Sequence, residues 1–229
     1  MAHESAVIRL YFCPMHLVVF DIDGTLVDSR GFDTQIYAQA AYRVLGINID
    51  TDWAHYKNAT HSGILDQVID ENGFEEDRET LQVRVKREFT RLTDTYIKRN
   101  PHASREIPGA QAFVEHLQNA EEFAVAIATG GWDTTAKLKL RAIGLDPDQF
   151  ALATASDAVN RKEIIEIAAD RSLRGIMAVR KTYFGDGPWD KRAGEELGYD
   201  FIGVGNRVEH HTVFPDYCDV EAILVQLNV

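Results

Sequence analysis

Residues 16–29 read HLVVFDIDGTLVDS, an apolar run that breaks into aspartates, a glycine and hydroxyl-bearing side chains. The run at 17–20 is apolar at every position and does not alternate. Such a pattern is typical of a strand buried on both faces of a parallel sheet. Because ligands of these sheets collect at the carboxyl ends of the strands, we expect Asp21, just past the run, to mark a functional site.

From residue 107 onward, strand and helix patterns alternate. Predicted strands cover residues 123–128, 150–153, 179–184 and 201–204, and predicted helices cover 110–117, 134–143, 161–169, 188–197 and 222–225. Strands that alternate with helices indicate a parallel sheet with right-handed crossovers. The fold class we predict is a doubly wound α/β domain.

Residues 30–100 carry helical patterns and no strand pattern. Apolar residues at four-residue steps predict a helix over 31–46, and a second apolar stripe predicts a long amphipathic helix over 81–96. A shorter helix around 64–69 follows the polar loop 58–63. The change of periodicity indicates a helical unit inserted after the first strand.

Composition bounds the class of protein. The chain has 229 residues, 45% of them hydrophobic, which is enough for ordinary globular cores. A net charge of -12 argues against a general affinity for nucleic acid or an anionic membrane. There is no apolar run of the roughly 20 residues that a membrane helix needs. We therefore expect neither nucleic acid nor membrane as a partner.

The amino-terminal segment and the cysteines bear on location. Residues 1–14 lack the long apolar centre of a signal peptide, so we expect a cytoplasmic protein, and we interpret this segment as an upstream extension that adds little to the fold. Cys13 and Cys218 have no metal-ligand spacing and form no disulfide framework, which fits a reducing compartment.

Three polar loops each follow a predicted strand, at residues 21–25, 129–131 and 185–190. A parallel sheet brings such strand ends to one edge, where acids, a hydroxyl and free backbone N–H groups would surround one crevice. Phosphoryl transfer needs such groups: a nucleophile, a hard cation, and donors to the equatorial oxygens.

The motif DIDGTLVDS at 21–29 resembles the first signature of the haloacid dehalogenase (HAD)-like hydrolase superfamily, in its phosphatase branch with a small helical cap. Three later pieces follow in the order of that superfamily: TGG at 129–131, NRKEII at 160–165 and GDGPWD at 185–190. The resemblance covers nearly the whole chain.

This resemblance implies a HAD-like core domain formed by residues 1–28 and 107–229, with a helical cap domain at 29–106. It also implies a Mg²⁺-dependent phosphohydrolase that acts on a small phosphorylated metabolite through an aspartyl-phosphate intermediate.

The resemblance assigns roles in the first motif. Asp21 is expected to be the nucleophile and Asp23 the general acid and base. Relatives that cleave carbon–halogen bonds or phosphonates lack the second aspartate, so its presence favours phosphate esters. Gly24 lets the backbone approach the phosphate, and Thr25 is expected to help fix the loop by hydrogen bonding.

Residues of the second and last motifs complete the expected site. Thr129 would donate its hydroxyl to a phosphate oxygen, beside the Gly130 amide. Mg²⁺ would be held by the Asp21 carboxylate, the Asp23 backbone carbonyl and the carboxylate of Asp186.

Asp190 completes the acidic motif of the metal site. It either turns toward the site behind the ligands or favours the dipole of its own helix.

The third motif departs from the common pattern of a lysine followed by proline, because Arg161 and Lys162 stand there instead. Either cation would serve, and we favour Arg161 for its planar fork. In the cap, the loop 60–63 is the candidate for contact with the leaving group, through a hydrogen bond from His61 to a substrate hydroxyl.

Two alternative functions stay open at this point. A phosphomutase acting on a sugar phosphate would use the same aspartyl-phosphate. A catalytically idle binding or regulatory protein is disfavoured, since no chemical residue of the first, second or last motif is missing. The sequence leaves open which phosphate ester is the substrate and whether the protein is a monomer or a dimer.

Overall fold

The computed structural model describes residues 15–100 and 102–228, so the interpretation of residues 1–14, Cys13 included, lies outside the described part of the chain. Six parallel strands form one sheet in the order β5-β4-β1-β6-β7-β8, and two further strands form a small antiparallel ribbon. The strands are β1 (Met15–Phe20), β2 (Val27–Asp28), β3 (Arg105–Glu106), β4 (Phe123–Ala128), β5 (Ala151–Ala153), β6 (Ala178–Gly185), β7 (Asp200–Val204) and β8 (Val213–Phe214).

Helices lie on both faces of the sheet and in the insertion. They are α1 (Arg30–Leu45), α2 (His61–Asn72), α3 (Arg78–Arg99), α4 (Ala110–Gln118), α5 (Asp133–Ala142), α6 (Arg161–Leu173), α7 (Pro188–Glu196) and α8 (Val220–Gln226). Short 3₁₀ turns occur at Trp53–His55 and Pro147–Gln149. In the described part of the chain, no helix combines the length and the apolar character that crossing a membrane requires.

The central strand β1 explains the two-layered core. Leu17, Val18, Val19 and Phe20 are all fully buried, and successive side chains enter opposite faces of the sheet. Val18 and Phe20 belong to one hydrophobic cluster, whereas Leu17 and Val19 belong to the other. Burial on both faces is why this run shows no polar alternation, and it confirms the predicted doubly wound α/β fold.

The inserted helices α1, α2 and α3 share a separate hydrophobic cluster. The ribbon of β2 and β3 lies where the chain enters and leaves this helical unit, with Val27 opposite Glu106 and Asp28 opposite Arg105. Its strands have two residues each, too short to show a periodic pattern. The division into a cap at 29–106 and a core stays a prediction.

The structure differs from the sequence-based expectations at two places, the start of α2 and the strand β8. The loop 58–63 was expected to be irregular, but α2 begins at His61, with the Thr60 hydroxyl accepting a hydrogen bond from the Gly63 amide as the N-cap. The strand β8 was not predicted, because two residues paired only with β7 leave no alternation in the sequence.

Candidate active site

Three strands deliver polar groups to one edge of the sheet. Asp21 follows β1, Thr129 follows β4 and Asp186 follows β6, and all three are buried. Carboxylate oxygens of Asp21, Asp186 and Asp190 all lie within 4.8 Å of one another. The parallel topology thus brings Asp21 together with Asp186 and Asp190, which follow it by 165 and 169 residues in the chain.

The buried carboxylates raise one another's pKa. Burial is the main cause for Asp21, whose pKa lies well above its usual value, with Asp190 adding to the shift and Arg161 opposing it. Burial and Asp190 raise the pKa of Asp186 to about 7, although Arg207 and Arg30, each 3.4 Å away, oppose the rise. Burial beside like charges therefore makes full ionisation of these carboxyl groups unfavourable in the protein alone.

This donor set fits Mg²⁺, since carboxylate oxygens are the ligands that hard cations prefer. The turn at Gly24 is shaped around one of these acids. Gly24 has a φ of +86°, and a Cβ there would lie 2.3 Å from Asp186 Oδ2. Only glycine permits both the left-handed backbone and this close approach.

Both carboxylate oxygens of Asp190 are bound within the protein. Oδ1 accepts hydrogen bonds from Arg161 Nη1 at 2.8 Å and from the Tyr183 hydroxyl at 2.9 Å, and Oδ2 accepts one from the Gly187 amide at 3.0 Å. Asp190 thus contacts both Arg161 and the turn after β6 from the first turn of α7, and its part in a metal site stays a prediction.

Of the two candidate cations, only Arg161 reaches the nucleophile. Arg161 Nη1 lies 3.2 Å from Asp21 Oδ1, and Nη2 donates to the Ala59 carbonyl at 3.0 Å. Lys162 instead forms a surface ion pair with Glu196, at 2.7 Å. Consecutive positions at the start of α6 point in directions about 100° apart, so one of them faces the site and the other faces solvent.

Short-range hydrogen bonds fix both the turn after β4 and the turn after β1. Thr129 Oγ1 accepts a hydrogen bond from the Gly131 amide at 3.1 Å. A Cβ on Gly130 would lie 2.3 Å from Arg161 Nη2, which explains why this position is a glycine.

In the turn after β1, the backbone N–H of Thr25 donates a hydrogen bond to the Ile22 carbonyl at 3.2 Å. The buried hydroxyl of Thr25 has no hydrogen-bond partner in the described part of the chain. Thr25 thus helps to fix this loop through a backbone hydrogen bond, and its role in the site stays a prediction.

Asp23 pairs with Lys139, which is not among the site residues predicted from the sequence. Lys139 Nζ lies 2.5 Å from Asp23 Oδ1 and 2.5 Å from Asp33 Oδ1. A signal was present, because Lys139 falls on the apolar stripe of α5 between Ala136 and Leu140 and all three are buried. A lysine on the buried face of a helix requires a carboxylate partner.

His61, the first residue of α2, is buried beside the site. Its Nε2 lies 3.4 Å from Asp33 Oδ2, and its ring stacks on Tyr37 with centroids 4.6 Å apart. It lines a cavity of about 60 Å³ together with Asp21, Asp23, Thr129 and Arg161 among others. The sequence prediction that His61 contacts the leaving group stays a prediction.

The start of α2 is bound to the core by several hydrogen bonds. The His61 amide donates to the Gly130 carbonyl at 2.8 Å, Thr60 Oγ1 to the Val159 carbonyl at 2.7 Å, and Ser62 Oγ to the Ala155 carbonyl at 2.6 Å. These bonds hold the start of α2 at the 60 Å³ cavity, which Thr60 and His61 line together with Asp21. A second cavity, of about 530 Å³, opens beside Asp23 and is also lined by Arg30, Trp53, Trp189 and Arg207 among others.

The family model of the haloacid dehalogenase-like hydrolases matches residues 18–204. The chain belongs to this family. The match includes all four motifs quoted from the sequence and confirms the recognised family, and with it an enzyme of the hydrolase class.

Solved structures of similar fold include three informative ones. A hydrolase from Pseudomonas syringae has a TM-score of 0.71 and 23% identity, covering 92% of this chain and 98% of its own. CbbY from Rhodobacter sphaeroides in complex with phosphate has a TM-score of 0.69 and 14% identity, covering 90% of this chain and 96% of its own. The β-phosphoglucomutase of Clostridium difficile has a TM-score of 0.67 and 18% identity, covering 93% of this chain and 97% of its own.

The TM-scores and coverage show that this chain shares the fold of these three proteins. No curated protein matches the chain in sequence.

Proposed function

We propose that the protein is a Mg²⁺-dependent phosphohydrolase that cleaves small phosphorylated metabolites through an aspartyl-phosphate on Asp21. The observation that carries the proposal is the position of Asp21, buried at the sheet edge between the acids Asp186 and Asp190 and the guanidinium of Arg161. A carboxylate so placed is a nucleophile among groups that bind both a cation and an anion.

Each residue has a defined part in the reaction. An oxygen of Asp21 attacks phosphorus while the bond from phosphorus to the leaving oxygen breaks, and Asp23 gives its proton to that oxygen. Asp23 then takes a proton from water, whose oxygen attacks the aspartyl-phosphate and restores the free Asp21 carboxylate. Arg161 and the Thr129 hydroxyl stabilise the charge on the transferring phosphoryl group.

The metal site would consist of the carboxylates of Asp21 and Asp186 and the backbone carbonyl of Asp23. Asp190 would support the site through its hydrogen bonds with Arg161 and the Gly187 amide. Bound Mg²⁺ supplies neutralisation of the charge on the phosphoryl oxygens. The acid cluster supports this assignment, since its buried negative charge favours a divalent cation.

The two cavities support a small substrate. The 60 Å³ cavity lies over Asp21, and the 530 Å³ cavity beside Asp23 has room for a leaving group of metabolite size. Coverage by α2 would exclude bulk water during transfer.

A phosphomutase is the second candidate. The chain shares its fold with a protein described as a β-phosphoglucomutase, and a mutase would use the same aspartyl-phosphate. The two differ in whether the phosphoryl group goes to water or back to a sugar phosphate.

Phosphate release is the test. The wild type and Asp21→Asn are assayed with an aryl phosphate and with sugar, nucleotide and glycolytic phosphates, in Mg²⁺ or EDTA. We expect Mg²⁺-dependent release from at least one compound and none from Asp21→Asn. Conversion of a sugar phosphate into its isomer without release identifies the mutase, and no reaction by folded protein contradicts both.

A further inference from the structure

Lys139 is a fully buried ammonium at the boundary between the core and the helical insertion. Its Nζ lies 2.5 Å from Asp23 Oδ1 and 2.5 Å from Asp33 Oδ1. Burial opposes the charge of an ammonium group, and the two carboxylates in contact with it compensate for that cost. The side chain is therefore a fixed cation inside the site.

The two oxygens of Asp23 have different surroundings. Oδ1 accepts hydrogen bonds from both Lys139 Nζ and the Ser29 hydroxyl. Oδ2 lies over the turn after β4, 3.6 Å from where a Cβ on Gly131 would be. With one oxygen held by two donors, rotation of the carboxylate is restricted, and Asp23 lines the cavity that Asp21 also lines.

The second carboxylate that holds Lys139, that of Asp33, belongs to the helical insertion. Lys139 belongs to α5 of the core, whereas Asp33 belongs to α1 of the insertion. Asp33 is buried, and its Oδ2 lies 3.4 Å from His61 Nε2 at the start of α2. A continuous chain of charged and polar contacts thus runs from Asp23 through Lys139 and Asp33 to His61.

We propose that Lys139 is a positioning residue for proton transfer by Asp23: held by Asp33 of the insertion, it fixes Oδ1 so that Oδ2 faces the leaving group. The inference rests on the proposed function of Asp23. In the step concerned, the O–H bond at Oδ2 breaks and its proton goes to the leaving oxygen as that oxygen separates from phosphorus. Lys139 keeps its proton throughout.

A purely structural ion pair would behave differently. Loss of structure lowers the amount of active enzyme and reduces turnover of every substrate by the same factor. Loss of proton donation affects basic leaving groups and spares those that depart as stable anions. The ratio of rates on two leaving groups therefore separates the two roles, and partial unfolding does not change it.

The experiment measures kcat/KM for phenyl phosphate and 2,4-dinitrophenyl phosphate, with Mg²⁺, in the wild type, Lys139→Met and Asp23→Asn. We expect Lys139→Met to lose about a hundredfold on phenyl phosphate, and less than about threefold on the dinitrophenyl ester. Asp23→Asn should show the same pattern. Lys137→Met, which changes a lysine of the same helix that lines a separate surface cavity, should keep the wild-type ratio.

An equal loss on both esters in Lys139→Met overturns the inference. If that variant does not fold by circular dichroism, Asp33→Asn removes the anchor while leaving Lys139 and Asp23 in place, and an unchanged ratio in Asp33→Asn also overturns it. Failure of the proposed function looks different, because the wild type then releases phosphate from neither ester.

Discussion

Buried charges in this site are held in position by neighbours of opposite sign. Arg161 lies between Asp21, at 3.2 Å, and Asp190, at 2.8 Å, and its side chain is only 12% exposed. Lys162, next in the chain, is 41% exposed and pairs with Glu196. Removing Arg161 would thus leave two buried carboxylates without a cation, whereas removing Lys162 would leave only an exposed one.

Arg161→Ala should lower kcat/KM for phosphate release by about 10²–10³-fold, because it removes the donor beside the nucleophile and leaves two buried carboxylates uncompensated. Lys162→Ala, the matched control, should stay within about twofold of the wild type because an exposed ion pair contributes little. Steady-state kinetics checks both. Equal losses in the two variants would contradict the assignment of Arg161.

Asp186→Asn should stabilise the metal-free protein while abolishing its response to Mg²⁺. The substitution removes one of three carboxylates whose oxygens lie within 4.8 Å, and so relieves their repulsion. Each kcal/mol relieved raises Tm by about 2–4 °C in a chain of this size. Mg²⁺ should raise Tm of the wild type but not of Asp186→Asn.

Thermal unfolding with Mg²⁺ or EDTA checks this prediction. Asp148→Asn, which changes an exposed acid paired with Arg141, serves as the control and should keep the Mg²⁺ response. A Mg²⁺ response that survives in Asp186→Asn would argue against Asp186 as a ligand.

At the scale of elements, the turn after β4 joins three parts of the site. A Cβ on Gly130 would lie 2.3 Å from Arg161 Nη2 and 3.0 Å from the Ala59 carbonyl, so this glycine lets α6 and the start of the insertion meet. Among the residues that the structure describes, the atoms nearest to a Cβ on Gly131 would be Asp23 Oδ2 and Thr129 Oγ1, each at 3.6 Å. The two adjacent glycines are therefore under different constraints.

Gly130→Ala should destabilise the protein by about 1–3 kcal/mol, because the added methyl must displace Arg161 or the backbone at Ala59. Gly131→Ala should change stability by no more than about 0.5 kcal/mol. Urea unfolding monitored by circular dichroism compares them. Similar midpoints for the two variants would show that Arg161 moves aside without cost.

The N-cap of α2 is a second joint between elements. Thr60 Oγ1 accepts from the Gly63 amide at 3.0 Å and donates to the Val159 carbonyl at 2.7 Å, so one hydroxyl both begins the helix and binds it to the core. Thr60→Ala should lower the free energy of unfolding by about 1–2 kcal/mol. Thr60→Ser keeps the hydroxyl and should recover most of that loss, again by urea unfolding.

For the molecule as a whole, His16 links stability to pH from the far end of β1. Burial, aided by Arg180, lowers its pKa to about 4, and its Nε2 lies 2.8 Å from the Thr182 hydroxyl. The unfolded chain binds the proton near pH 6.5. Between these two pH values the unfolded state binds the proton and the folded state does not. The contribution of His16 to stability is therefore full above about pH 6.5 and is lost as the pH falls toward 4.

The pH dependence of unfolding by urea in EDTA tests this coupling. The contribution of His16 amounts to about 3 kcal/mol over the whole window. In His16→Gln the fall between pH 6.5 and 5 should shrink. The difference between wild type and variant isolates His16, because the contribution of Asp186, whose raised pKa acts in the opposite direction, cancels. Parallel curves would contradict the prediction.

Much of the fold was predictable from residues whose signal is local. The unbroken apolar run at 17–20, the apolar stripes of α1 and α3 and the strand Phe123–Ala128 all show periodicities that follow directly from burial. The ribbon of β2 and β3 and the strand β8 have two residues each, so they exist only through their pairing partners.

By itself, the sequence determined the alternation of strands and helices, the inserted helical unit and the motif residues that collect at one sheet edge, since these depend on local burial and parallel topology. Only the tertiary structure decided that Arg161 rather than Lys162 reaches Asp21, and that Lys139 joins Asp23 to Asp33. The physical reason is that these contacts connect residues distant in the chain. Their geometry depends on how helices pack, which no local pattern records.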